Sequence, residues 1–301
     1  MISNKNQIEL ELEQQAIKIR NSPQFHQAIS KHGMIISNIY KNHPMFYKII
    51  FRNSRFIICS AMLAIFYTQN EAALKDIKSF FKGKNIISEN SLDSFLFFLR
   101  VGRWLEVKKA EQDRRTLLFT PTENALRQAH ELVSSMALPY QVLAPEIPVA
   151  DLLEQDWFLP AFFKGYGQLM IQEIYLIDLV PQAALFITKD AGHMVLLMLF
   201  MESIRHNSHM LLLSSAEIAK FSSVSRTHIN RILLAAEKSG LLTTKNNVLI
   251  ELNSSFIVMA ERYFSLYMAM VGYSLDGACQ QHKIHAYQKK HESDIAAICN
   301  L

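Results

Sequence analysis

From Ser222 to Leu242 the chain reads SSVSRTHINRILLAAEKSGLL. At helical spacing, Ile229, Ile232, Leu233 and Ala236 fall on one side and Arg226, Thr227, Asn230 and Arg231 on the other. The chemistry open to that polar face is recognition. A guanidinium reaches a phosphate or the edge of guanine, and an asparagine amide pairs with adenine in bidentate fashion. Thr227 or His228 can meet a phosphate or a thymine methyl. Ser225 stands where a helix N-cap is required. A second cationic group, Lys108, Lys109, Arg114 and Arg115, lies in WLEVKKAEQDRRTLLF (104 to 119), two extended runs around a polar turn that also holds Asp113.

The two groups belong to related stretches. Sliding ISENSLDSFLFFLRVGRWL (87 to 105) forward by 137 positions (224 minus 87) places Ile87 on Val224, Ser88 on Ser225, Leu92 on Ile229, Phe95 on Ile232, Leu96 on Leu233, and Trp104-Leu105 on Leu241-Leu242, with no gap. Upstream, KDIKSF (75 to 80) resembles AEIAKF (216 to 221), with a longer link to the next helix in the first copy. Helical spacing precedes each unit, at 52 to 67 and 192 to 206, and follows it, at 122 to 136 and 254 to 271. The second copy also continues into a hairpin, LLTTKNNVLIEL (241 to 252), where Asn246 and Asn247 suit the positive φ angles of a tight turn. Helix, helix, turn, helix, hairpin, helix is the order of a winged helix-turn-helix.

SSAEIAKFSSVSRTHINRILLAAEKSGLL resembles the helix-turn-helix of the Crp-type and MarR-type bacterial regulators, with Ala219 at the tight inter-helix contact, Val224-Ser225 at the turn and Gly240-Leu241-Leu242 leading into the wing. VKKAEQDRRTLLFTPTENAL (107 to 126) resembles the MarR-family wing, where an Asp-Arg-Arg cluster precedes a strand and a helix start. That resemblance implies that Asp113 braces the hairpin, that Arg115 enters a minor groove, and that Lys108, Lys109 and Arg114 lie near phosphates. It also invites a small-molecule effector among the methionines and aromatics of 95 to 98, 194 to 203 and 256 to 270, although such stripes more often form core or a subunit interface. The first copy departs from the pattern at the helix: Glu89 and Asp93 stand where Arg226 and Asn230 stand in the second. Two carboxylates without nearby cations would lower affinity for phosphates. An asymmetric protein is therefore expected, the second unit reading bases through its helix and the first contributing mainly its wing.

The rest of the chain narrows the alternatives. Its 301 residues, half of them hydrophobic, can bury a sizeable core, and a formal charge of +4 permits an acidic partner. The three cysteines, Cys59, Cys279 and Cys299, are widely spaced and suit a reducing cytoplasm better than a disulfide framework. The opening MISNKNQIEL lacks the apolar stretch of a secretory signal, and the longest apolar runs, IICSAMLAIFY (57 to 67) and MVLLMLFM (194 to 201), fall short of the ~20 residues of a membrane span. No phosphate-cradling glycine loop, H-E-x-x-H or G-x-S-x-G occurs, so no catalytic residue is nominated and no cofactor or metal is expected. Cys279, His282, His285 and His291 share a helical stretch, but without a paired C-x-x-C they read as a basic solvated helix.

The expected fold class is mainly α with small β-hairpins, two winged helix-turn-helix domains joined by a helical scaffold. The expected divisions are N-terminal helices (1–50), a first winged domain (51–138), linker and scaffold helices (139–187) whose opening stretch, 139 to 160, holds four of the eight prolines at 139, 145, 148 and 160, a second winged domain (188–275), and a C-terminal helix or tail (276–301). The expected function is a sequence-specific regulator of transcription that binds double-stranded DNA as a single-chain pseudo-dimer or a homodimer, away from the membrane. A plasmid replication initiator and a protein-interaction scaffold are the alternatives.

Overall fold

The computed structural model describes residues 4–246 and 248–299, the side chains of 281 and 284–299 excepted. It is mainly helical with two small antiparallel sheets. Helices α1 (Asn4–Arg20), α2 (Phe25–Asn42) and α3 (Pro44–Ile50) lead into α4 (Asn53–Thr68), α5 (Leu74–Phe81), α6 (Glu89–Val101), strands β1 (Leu105–Lys109) and β2 (Leu117–Pro121), and α7 (Glu123–Leu143). A connecting set follows: α8 (Val149–Leu153), α9 (Phe158–Ile171), α10 (Leu176–Leu179), a short 3-10 turn (Pro181–Ala183) and α11 (Ala184–Ile187). The order then recurs as α12 (Gly192–His206), β3 (Met210–Leu212), α13 (Ser215–Phe221), α14 (Arg226–Lys238), β4 (Leu242–Lys245), β5 (Leu249–Leu252) and α15 (Ser254–Cys299).

The sequence register survives as hydrogen-bond geometry. Ser88 and Ser225 both cap their helices, each hydroxyl accepting a backbone N–H three residues on. Fifteen residues after each cap serine, just past the helix end, comes a left-handed residue, Arg103 (φ 59°) and Gly240 (φ 68°), followed by Trp104 N–H donating to Leu99 O and Leu241 N–H to Ala236 O. Thr122 then reaches back with its hydroxyl to Arg103 O, as Asn253 does with its amide to Gly240 O. The strand preceding the helix pair, which alternation in the sequence did not reveal, pairs with the second hairpin strand in both copies: Met210–Leu212 on β5, reduced to the single bridge Ala73 to Leu118 in the first. Asn246 has φ 53°, as a tight turn requires, while Asn247 lies outside the described residues.

The two copies do not stand on separate stalks. One continuous buried core runs from Ile8 through both units to Ala278. The closing helix α15 packs along α1 and α9, α4 packs on α9, and α7 packs on α2. Gly167 allows the α4 contact, since a Cβ there would come within 2.8 Å of the Ala64 methyl. Helix α7 runs through Pro139 and ends at Leu143, so the proline-rich stretch expected as a linker begins inside a helix. A proline in a helix interior leaves the carbonyl four residues earlier without its N–H. That carbonyl is Ser135 O, and the buried His32 takes it up, donating from Nδ1 at 2.7 Å. His32 Nε2 meets His193 Nε2 at 3.4 Å, and His193 Nδ1 meets the Tyr263 hydroxyl at 3.0 Å. With His32 protonated on Nδ1, His193 donates to it and Tyr263 donates to His193, an all-neutral chain joining α7, α2, α12 and α15. Burial pushes both imidazoles down, His32 to about 4 and His193 to about 3, the neighbouring His32 adding to the effect on His193.

No single helix among the described residues is long and apolar enough to cross a membrane; the two expected apolar runs lie within α4 and α12.

Candidate nucleic-acid interface

Helix α14 is set by its buried face. Ile229, Ile232, Leu233 and Ala236 are buried, whereas Ser225, Arg226, Thr227, Asn230 and Arg231 are exposed. Neither Arg226 nor Arg231 makes an ion pair among the described residues. Three contacts hold the helix from behind. The Tyr40 hydroxyl donates to Ser222 O at 2.7 Å and fixes the turn from α2. Thr244 N–H donates to Glu237 Oε1 at 2.9 Å and ties the hairpin to the helix. His228 is half-buried and its Nε2 donates to Asp190 O at 3.0 Å, so it leans back onto the loop before α12 and keeps only Nδ1 for another partner.

The first hairpin projects further than the second. Its loop spans 110–116 against 246–248, and Lys108, Lys109, Arg114 and Arg115 are all exposed and without ion pairs among the described residues. Asp113 organises that loop: one carboxylate oxygen accepts the Arg115 N–H at 3.0 Å and the other the Thr116 hydroxyl at 2.8 Å. The Thr116 hydroxyl first, and the Arg115 N–H second, hold the Asp113 carboxyl below the usual carboxylate range. In the second hairpin the cation is spent internally, Lys245 Nζ lying 3.0 Å from Glu251.

On α6 the carboxylates are less bare than the sequence pattern suggests. Asp93 Oδ1 accepts from Lys78 Nζ of α5 at 2.7 Å, with both side chains about half exposed (54% and 53%). The pair lies across two helices and is invisible to spacing along one of them. Around the N-terminus of α6 the structure also gathers cations that periodicity did not single out. Lys48, Arg52 and Arg55, from the α3–α4 corner, line a groove of about 700 Å³ together with Ser88, Ser91 and Ser94. Arg55 lies 5.8 Å from the Phe95 ring centre and 3.5 Å from Asp190, the residue whose carbonyl holds His228. A contiguous line of contacts thus joins the two corresponding helices, and their separation is fixed by the core.

Of the histidine and cysteine group near the C-terminus, His282 packs against Trp157 with ring centres 6.1 Å apart, and Cys279 is half-buried. The side chains of His285 and His291 lie outside the described residues. No cluster of three metal-binding side chains occurs among the described residues.

Comparison with family models and with curated proteins finds no match for this chain.

Proposed function

We propose that the chain binds double-stranded DNA as a regulator of transcription, its two units acting as winged helix-turn-helix modules of one covalent pseudo-dimer. The observation that carries this reading is the exposed set Arg226, Thr227, Asn230 and Arg231, unpaired among the described residues, on a helix whose N-cap, buried face and following hairpin are all in place. A helix entering a major groove needs donors near its N-terminus and a docked rear face. The first unit supports the same reading through Lys108, Lys109, Arg114 and Arg115 on a hairpin loop held in shape by Asp113, and through Lys48 and Arg52 at the neighbouring groove. Phosphate neutralisation by about six such side chains gives a log-log salt slope near −5.

Selection of bound duplexes from a random pool, followed by titration across salt concentrations, tests the proposal. A defined motif and a slope near −5 are expected; a slope near zero would remove the contacts proposed here. Band-shift stoichiometry separates one chain per site from a homodimer.

A second reading, a protein-docking scaffold, is favoured by one specific feature. Phe97 and Val101 on α6 are 67% and 65% exposed beside Glu89 and Asp93, a surface better suited to a protein than to phosphate. Under that reading, alanine at Arg226 and Arg231 leaves partner binding intact.

A further inference from the structure

Between Ile50 and Asn53 the chain turns by 94° from α3 into α4, and the bend gathers cations that no single helix face would carry. Lys48 stands before the bend, Arg52 in it and Arg55 after it, all three on the wall of the groove of about 700 Å³ beside α6. Among the described residues the one other charged side chain on that wall is Asp190. Three cations against one carboxylate leave an excess of two positive charges. Asp190 does not satisfy them. Its Oδ1 lies 3.5 Å from Arg55 yet accepts no hydrogen bond, and Lys48 and Arg52 make neither an ion pair nor a side-chain hydrogen bond among the described residues. Burial first lowers Arg55 below its ordinary range; Asp190 opposes that shift and the nearby Arg52 charge adds to it. An anion set between two guanidinium groups that repel each other relieves both. From α6, the Ser91 hydroxyl accepts from Ser88 and keeps its own proton for another acceptor. Beside these polar groups, Met45, Ile49 and Phe98 give the groove an apolar stretch.

We propose that this groove binds a small organic phosphomonoester, its phosphate held by Lys48, Arg52 and Arg55 and its organic group laid against Met45, Ile49 and Phe98. A phosphomonoester carries about −1.5 to −2 charges at pH 7 and three strong acceptor oxygens, which matches the excess of two positive charges; a carboxylate or a sulfonate matches only half of it. Guanidinium forks suit phosphate oxygens in bidentate pairs, and the lysine adds a point charge. The volume lies within the range of about 300–1,000 Å³ of small-molecule sites and leaves room beyond the phosphate for an organic group. The backbone of DNA also offers phosphate, but as diesters of single charge, and the experiment separates the two sources. The site stands on its own geometry and does not rest on the reading of the chain as a DNA-binding protein.

The full chain is titrated by calorimetry at low salt with phenyl phosphate, with benzenesulfonate, which has a similar shape and a lower charge, and with a duplex of random sequence. Saturable binding of phenyl phosphate is expected, about tenfold tighter than that of benzenesulfonate. Arg52→Gln and Lys48→Gln should each cut phenyl phosphate affinity about tenfold, the equivalent of one hydrogen bond to a charged group, with the thermal midpoint of the unliganded protein unchanged. Arg226→Gln, the same loss of charge on α14, should leave phenyl phosphate affinity within about twofold. No saturable binding of phenyl phosphate to the parent protein would overturn the proposal, and duplex affinity lost in the Lys48 and Arg52 variants in that case would assign these cations to the DNA backbone. Equal affinity for benzenesulfonate would overturn the assignment of a doubly charged ligand, and an equal loss in Arg226→Gln would reduce the effect to net charge and overturn the site.

Discussion

Helices α6 and α14 share a frame and oppose each other in surface. Behind the common N-cap serine, Leu92, Phe95, Leu96 and Leu99 of the first are buried, as are Ile229, Ile232, Leu233 and Ala236 of the second. Outward, the aligned positions read Glu89 against Arg226, Asn90 against Thr227, Asp93 against Asn230, Ser94 against Arg231, Phe97 against Leu234 and Val101 against Lys238. Two carboxylates thus face three cations at these six positions. Packing constrains the inward set to a few apolar shapes, each buried side chain being worth about 1.5–3 kcal/mol, while the outward set contributes little to stability and is free to change partner. The lesson is that one backbone unit can be kept while its exposed face is rewritten.

The comparison is easiest to break at the arginines. Replacing Arg226 and Arg231 together by alanine is expected to weaken DNA binding about 10²- to 10³-fold, at about 1–3 kcal/mol per contact, whereas Glu89→Ala with Asp93→Ala should leave it within about threefold or tighten it. Equal loss in both band-shift titrations would make the helices equivalent and end the asymmetry. Next in size, alanine at Lys108, Lys109, Arg114 and Arg115 should flatten the salt slope from about −5 to about −2, since each phosphate contact contributes about 0.9. An unchanged slope would remove the first hairpin from the interface.

A third measurement addresses what the halves share. Both buried imidazoles have folded pKa values depressed below the ordinary 6.5, so the unfolded chain takes up their protons first. Their contribution is fully present above pH 6.5 and is lost as pH falls towards about 4 for His32 and about 3 for His193. Urea midpoints should therefore drop between pH 7 and pH 5 by the equivalent of roughly 2 kcal/mol per histidine, and His32→Leu should be less stable at pH 7 yet show a shallower decline. A parent profile flat over that interval would contradict the all-neutral chain. The smallest effect is at the helix ends. Gly240→Ala should cost about 1 kcal/mol and Arg103→Gly should gain about as much, because both sites are left-handed and only one has the residue suited to it.

Much of this was legible in the residues alone. The repeat showed because buried positions recur at fixed spacing, and α12 runs from Gly192 to His206 where the apolar period placed it. Both hairpins showed through alternation about polar turns. The third strand did not, because Met210–Leu212 has only three residues and its counterpart is one bridge at Ala73, too short for a period of two. Pro139 looked like a boundary because its acceptor's new partner, His32, lies 103 residues before Ser135 in the chain. At the candidate interface, the exposure of the α14 face followed from its pattern, whereas the turning of His228 to Asp190, the Lys78–Asp93 pair and the groove cations Lys48 and Arg52 depend on contacts between elements.

The continuous core carries one further consequence. Helix α15 rests on α1 and α9, and α7 on α2, so a fragment cut to either copy would leave the apolar flank of its closing helix facing water. Such a fragment should be prone to aggregate: the repeat can be read along the polypeptide, but its halves are not interchangeable cassettes to be expressed, swapped or shuffled one at a time.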